Sequence, residues 1–441
     1  MGVGTFARQI FASGGLLGSS MRRTVALNAG WLLSDKLLRL GLGVWINAWV
    51  ARTLGPEQFG LLSYAIAAVA VFSAVSTLGF GELLIREFVR YPDRREIILS
   101  SALLLRLLAG VLTLLLTCAF ILVWEKGDQQ LFGIVMIIAS GPIAQAIDVV
   151  DLYFQAENKV MGIVLLRNVS FLAVCTARVI AIQADAPVEI FAAITTVELI
   201  LVGLLIWARA KWAGIGLALS NVRKAESIRL VREAWPLMLR LLAIGIYMRV
   251  DQLMIGRMLG SGDVGVYSAA VRISEVWYLV LVAASQAATP RLAALHAGDQ
   301  ELYRLRLIQV MRALAILSVL VAVCMSLAAP HLIAFLYGPG FAAASDVLII
   351  HVWAGLPVAL GLVAGTWLVN SGLVRFGLYQ AIAGAIVSVG ANLILLPIMG
   401  IAGAAIAALL SYMVSAVFCN ALSGLTRPIF SIQLKSMGLM R

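Results

Sequence analysis

The sequence predicts an all-α polytopic membrane protein of about twelve transmembrane helices, arranged as two parallel six-helix lobes. Three observations lead there. The chain is 62% hydrophobic and 12% charged, with a mean hydropathy of +1.00, far above that of a water-soluble domain. Apolar stretches of about twenty residues follow one another along its length, and each is long enough to cross a hydrocarbon core. Finally, Arg52-x-Leu54-Gly55-(x4)-Gly60-x-x-Ser63-x-Ala65 returns as Arg257-x-Leu259-Gly260-(x4)-Gly265-x-x-Ser268-x-Ala270, six identities at one offset without a gap. Both copies join the end of one apolar stretch to the start of the next. A block of membrane helices is therefore duplicated, the usual construction of secondary transporters.

The N-terminal residues Met1 to Ser20 carry Arg8 and glycine interruptions. No clean apolar run leads to a small-residue cleavage site, so this segment reads as a cytoplasmic arm and not as a cleaved signal. The first lobe, 1–208, holds spans at 25–53, 57–80, 97–123, 131–154, 161–183 and 188–208. Pro142 interrupts the fourth. A linker at 209–233 mixes basic residues with Trp212, Ile215, Ile228, Leu230 and Val231, as an interfacial helix or a plain basic connector would. The second lobe, 234–424, holds spans at 234–259, 264–288, 306–328, 342–369, 374–397 and 401–424, followed by a cytoplasmic tail at 425–441. Pro236 is expected to interrupt the seventh span, and Gly355-Leu356-Pro357 to kink the tenth.

The formal charge of +11 invites a nucleic-acid reading, but topology explains most of it. With the N-terminus inside, about 21 of the 33 Lys and Arg fall on the cytoplasmic side, as the positive-inside rule requires, and the other side holds only Arg52, Lys126 and Arg257. Both termini are thus expected in the cytoplasm, and no nucleic-acid partner is expected. Six spans per lobe make the second copy start on the same side as the first, so the repeats are parallel and not inverted. Cys118, Cys175, Cys324 and Cys419 lie in apolar stretches without metal-ligand spacing and read as packing. The absence of GxSxG, HExxH, CxxC and P-loop patterns leaves no visible machinery for hydrolysis or ATP use. The protein is expected to be no enzyme and to need no cofactor or metal.

Ionisable groups at membrane depth carry the functional signal, because each is costly unless paired or hydrated. The first span holds Asp35, Lys36 and Arg39; the seventh, its duplicate, holds Arg240, Arg249 and Asp251. Arg272 and Glu275 in the eighth are three apart, share a face and can pair. Arg106, Arg167, Arg178 and Arg312 lie in the third, fifth and ninth spans, Asp148 and Asp151 in the fourth, Glu198 in the sixth. Cations exceed anions, which a hydrated cavity receiving an anionic substrate would explain. The cavity cations are expected to be Arg39 and Arg249 foremost, with Lys36, Arg272 and Arg240. Arginine holds phosphate oxygens bidentately and keeps its charge in any surroundings. Asp35, Asp251 and Glu275 are expected to orient these cations or to take up a coupling ion. His351 reads as a packing residue.

In the last two spans, Asn392-Leu393-Ile394-Leu395-Leu396-Pro397-(x2)-Gly400-(x2)-Gly403-Ala404-Ala405 resembles the signature of the polysaccharide flippases of the multidrug/oligosaccharidyl-lipid/polysaccharide exporter superfamily. Asp251-(x3)-Ile255-Gly256-(x2)-Leu259-Gly260-(x4)-Gly265-x-Tyr267-Ser268-x-Ala270, Leu54-Gly55-Pro56-(x2)-Phe59-Gly60 and Phe154-Gln155-Ala156-(x2)-Lys159 are similar to other segments of that family. The resemblance implies a V-shaped, MATE-like pair of lobes in a bacterial inner membrane. It also implies transfer of undecaprenyl-pyrophosphate-linked oligosaccharide units between leaflets for O-antigen, capsule or exopolysaccharide synthesis. Its expected partners are the lipid-linked glycan, membrane lipids, a polysaccharide polymerase and a chain-length regulator. The family's cavity arginines do not map one by one onto this chain. Two rival readings are a multidrug cation antiporter of the same superfamily, which would want an acidic, aromatic-lined cavity, and a membrane-embedded polymerase or ligase. The short outer loops disfavour the latter.

Overall fold

A computed structural model describes the backbone of residues 19–125, 127–216 and 219–440, with side chains from residue 41 onward, that of Leu219 excepted. Among the described residues there are helices and turns and no strand. The order is α1 (Ser19–Thr77), α2 (Phe80–Arg90), α3 (Arg95–Trp124), α4 (Gln129–Ala139), α5 (Asp148–Ala156), α6 (Met161–Gln183), α7 (Val188–Trp212), α8 (Lys224–Met258), α9 (Ser261–Val276), α10 (Tyr278–Gly298), α11 (Gln300–Tyr337), α12 (Ala344–His351), α13 (Gly355–Asn370), α14 (Phe376–Met413) and α15 (Arg427–Ser436).

Among the described residues, nine segments are long and apolar enough to cross a membrane. Two of them are hairpins. Within α1, Gly55 has φ 71° and ψ 172°, and Asn47 and Val50 line the same cavity as Leu62 and Ile66, so the chain reverses there. Within α14 the chain reverses at Gly400, which lets the Ser411 hydroxyl donate to the carbonyl of Gly384 at 2.8 Å. With α8, whose many charges keep it below an apolar threshold, the spans number twelve among the described residues. The duplicated motif explains two of the turns. Gly260, the counterpart of Gly55, has φ 111° and ψ 174°. Both glycines adopt a backbone conformation closed to residues with a Cβ, and both open a new helix.

One proline departs from its sequence expectation and two follow it. Pro236 lies inside an unbroken α8, because a membrane helix tolerates a proline whose freed carbonyl finds another partner. The tenth span does break, by a 3-10 turn at Val352–Ala354 just before Pro357, and Pro142 likewise falls in the irregular stretch between α4 and α5. The segment 209–233 contributes the end of α7 and the first turns of α8.

Three apolar clusters define the shape. One unites the lobes at the end where Gly55 and Gly260 turn, combining Phe59, Tyr64 and Ala65 with Ile255, Tyr267 and Ala270. At the other, basic end there are two more, and the first of them also takes in Leu230 and Ala234 of α8. Phe80, Leu84, Phe88, Ile98 and Phe154 gather in the first lobe, and Leu307, Met311, Val363, Ile429 and Ile432 in the second. A shared core at one end and separate cores at the other is the V shape. Outside, Val123, Leu327, Ile386 and Ile398 stay exposed, a belt that water would penalise and lipid accepts.

Candidate functional site

Just beneath the shared core lies a cavity of about 170 Å³. Asn47, Val50, Leu62 and Ile66 of α1 form one wall, and Arg178, Phe191 and Thr195 of α6 and α7 form another. The second lobe supplies Arg272 of α9. Two guanidinium groups, one from each lobe, therefore share one polar space.

The two are held differently. Arg178 donates to the Thr195 hydroxyl at 3.4 Å and stands 3.9 Å from the Glu198 carboxylate. Thr195 in turn donates to the carbonyl of Phe191 at 2.9 Å, which fixes its hydroxyl as the acceptor. Arg272 lies over the Phe59 ring, 5.7 Å from its centre. Among the described residues no carboxylate pairs with it. A cation lacking a counter-ion at membrane depth needs water or an anion.

The other expected site residues divide. Glu275 does not pair with Arg272 one turn away. It accepts from Arg249 of α8 at 3.0 Å, because α8 and α9 pack side by side and bring the longer-range partner closer. Arg249 is thus neutralised and is not the free cavity cation that the sequence suggests. Asp251 makes no ion pair with Arg249: it is buried and accepts from the Tyr267 hydroxyl and, at 2.8 Å, from the amide of Gln252. Nearby, Ser274 Oγ and His351 Nδ1 are 2.5 Å apart, and Tyr412 packs edge-on to both His351 and Tyr247. His351 is a buried, bonded core residue. Arg240 lies against Gly377 of α14, where a Cβ would come within 2.9 Å of its Cζ. Asp35, Lys36 and Arg39 lie on α1, and their side chains fall outside the described residues.

Of the remaining deep charges, Arg167 bridges Asp148 and Asp151 at 3.3 and 2.8 Å. Arg106 is buried and donates to the carbonyl of Ser76. Arg178 is the residue that sequence reasoning passed over for the site. Its charge at depth was legible, but nothing in sequence spacing places α6 opposite α9.

With this geometry in view, the comparisons are decisive for kinship. A family model described as polysaccharide biosynthesis protein matches residues 25–296. The chain belongs to that family. A second model, MatE, matches residues 236–394. No curated protein sequence matches the chain. Among solved structures, the chain is similar to the inward-facing conformation of a multidrug resistance MATE family transporter of the MOP superfamily (TM-score 0.71, 16% identity, 93% of this chain and 98% of the other). It is also similar to the lipid II flippase MurJ in an inward closed conformation (0.70, 12% identity, 93% and 91%). A third is a MOP superfamily transporter from Pyrococcus furiosus described as having a binding pocket of reversed polarity (0.55, 16% identity, 94% and 93%). These likenesses establish the MATE-like fold. The chain is thus a multi-pass membrane protein of the polysaccharide biosynthesis protein family with a MATE-like fold.

Proposed function

We propose that this polysaccharide biosynthesis protein moves undecaprenyl-pyrophosphate-linked oligosaccharide units from the inner to the outer leaflet of a bacterial inner membrane, by alternating access. The observation that carries this is the convergence of Arg178 and Arg272, from opposite lobes, on one cavity. A pyrophosphate carries several oxygens that two planar guanidinium groups can grip bidentately. Gripping it from both lobes ties cargo occupancy to lobe closure. The family match to polysaccharide biosynthesis proteins supports a glycan cargo, and the fold shared with a lipid II flippase supports movement of a lipid. Arg39 and Lys36 on α1 are further candidates for the anion path, with Asp35 as their orienting partner.

The basic end of the V faces the cytoplasm by the positive-inside rule, so both termini are cytoplasmic. The glycolipid enters there with its polyprenyl tail left in the lipid between the lobes. No bond is made or broken, and polymerase and chain-length regulator act on the product as partners. The reading as a multidrug cation antiporter is disfavoured by the same two arginines, since a cationic drug would be repelled.

The test is genetic. In a strain lacking its own copy, the wild-type gene restores surface polysaccharide, whereas Arg272→Ala and Arg178→Ala leave lipid-linked units accumulating on the inner leaflet. Restoration by both alanine variants at normal levels would refute the anion-cavity reading.

A further inference from the structure

The repeated motif packs against itself. A Cβ placed on Gly60 would sit 1.7 Å from the carbonyl oxygen of Ser261 and 3.0 Å from the amide nitrogen of Gly265. A Cβ on Gly265 would sit 2.1 Å from the carbonyl oxygen of Pro56 and 3.1 Å from the nitrogen of Gly60. Gly60 and Gly265 are counterparts in the two copies, and so, at the same offset, are Pro56 and Ser261. The contact therefore repeats itself across a local two-fold axis. Each copy presents a glycine to the first carbonyl of the other copy's helix, and backbone meets backbone with no side chain between.

Nothing else in α1 and α9 explains why glycine stands at these two places. Both lie inside helices with ordinary negative φ, where alanine is the better helix former. Local propensity opposes them, so the requirement comes from the neighbouring lobe. One turn deeper on the same faces, Ser63 and Ser268 are counterparts as well. Both are 97% buried, and among the described residues neither hydroxyl has a hydrogen-bond partner. Leu62 and Ile66, within two turns of Gly60, line the cavity that holds Arg178 and Arg272. The seam is the roof of that cavity.

We propose that the two copies of the motif form the outer gate of this transporter, a self-complementary backbone seam about Gly60 and Gly265. Close approach holds it shut. Ser63 and Ser268 keep it poised, because each closed hydroxyl lacks a hydrogen bond that entering water would supply on opening. The duplication is thus functional: one sequence, used twice, makes both faces of the gate. This inference rests on the transporter reading and not on the identity of the cargo.

The test uses a disulfide as a ruler in the full-length protein, with Cys118, Cys175, Cys324 and Cys419 replaced by alanine. A Cβ on Gly262 lies 3.7 Å from Cγ of Glu57 across the seam, within disulfide reach. The Glu57→Cys/Gly262→Cys protein in proteoliposomes should cross-link readily under mild oxidation. Adding Gly60→Ala or Gly265→Ala should cut the cross-linking rate about ten-fold. It should also raise labelling of an Ile66→Cys reporter by an impermeant maleimide from the hairpin side. Gly133→Ala, where a Cβ meets nothing within 4 Å, should change neither. Because no cargo is used, failure of the glycan reading leaves these readouts intact. The gate is refuted if the native-glycine protein does not cross-link, or if the folded alanine variants cross-link and label like their parent.

Discussion

Arg272 and Arg249 sit on adjacent helices and differ in one respect, a carboxylate partner. Arg249 has Glu275 at 3.0 Å, whereas Arg272 has no carboxylate within ion-pair distance among the described residues and lies over the face of Phe59 at the cavity. The same substitution should therefore do different things at the two sites. Arg272→Ala is expected to leave expression and thermal stability near wild type while lowering transport at least about ten-fold, with lysine rescuing in part because it lacks the bidentate fork. Arg249→Ala strands Glu275, and because the pair is only half-buried its cost should fall below the roughly 3–5 kcal/mol of broken buried pairs. Thermal unfolding in detergent checks this, and Arg249→Ala/Glu275→Ala should recover most of the loss. An Arg249→Ala protein as stable as wild type would show that the pair is incidental. Which arginine was free could not be read from the sequence. Spacing offered Glu275 to Arg272 within one helix, and only the packing of α8 on α9 gives it to Arg249.

Among the elements, the start of α8 shows how the lobes are tied at the basic end. Glu87 of α2 and Glu226 of α8 are buried, and Arg229 reaches both, at 2.6 and 2.5 Å, while Arg94 meets Glu226 at 2.6 Å. Burial alone would ease the proton off Arg229, but its hydrogen bonds to Glu226 and Glu87 more than offset this and hold its pKa above the usual guanidinium range. The cluster therefore stays charged on the arginine side at any pH the protein meets. Removing Arg229 takes from buried Glu87 its partner at 2.6 Å and from buried Glu226 one of its two arginines. Arg229→Ala should release the first turns of α8 from α2, seen as faster hydrogen exchange over 224–233 and a lower Tm. Unchanged exchange there would place the anchor in Leu230 and its apolar neighbours instead. The hairpin turns at Gly55 and Gly260 were legible as a repeated glycine between apolar runs. The helical course through Pro236 was not, because a proline's effect in a membrane helix depends on what its neighbours offer.

For the whole molecule, composition and the repeat made the class and the number of spans legible, and the placement of the three cores gives the V that the family resemblance implied. The cavity's composition was legible only as a surplus of deep cations; its two cross-lobe arginines required the fold. Two predictions belong to this scale. Tags at both termini should report the cytoplasm, as the distribution of basic residues demands; an outward-facing tag at one end would break the even span count, and at both ends would invert the orientation. A cargo with two or more negative charges moving outward gains roughly 2.3 kcal/mol per charge per 100 mV from an inside-negative potential. Collapsing the potential with valinomycin and potassium at constant pH should therefore slow transfer, and transfer that follows only an imposed proton or sodium gradient would shift the coupling to Asp35 or Asp251. The central claim is tested most directly by reconstitution. Purified protein in liposomes carrying an undecaprenyl-pyrophosphate oligosaccharide is assayed by the access of an external glycan-cleaving enzyme or lectin. Wild-type protein should expose glycan from the inner leaflet, and the Arg178→Ala/Arg272→Ala double variant should do so at least about a hundred-fold more slowly. Equal rates for the two, or no transfer by a wild-type protein that instead carries an amphipathic cation, would contradict the account.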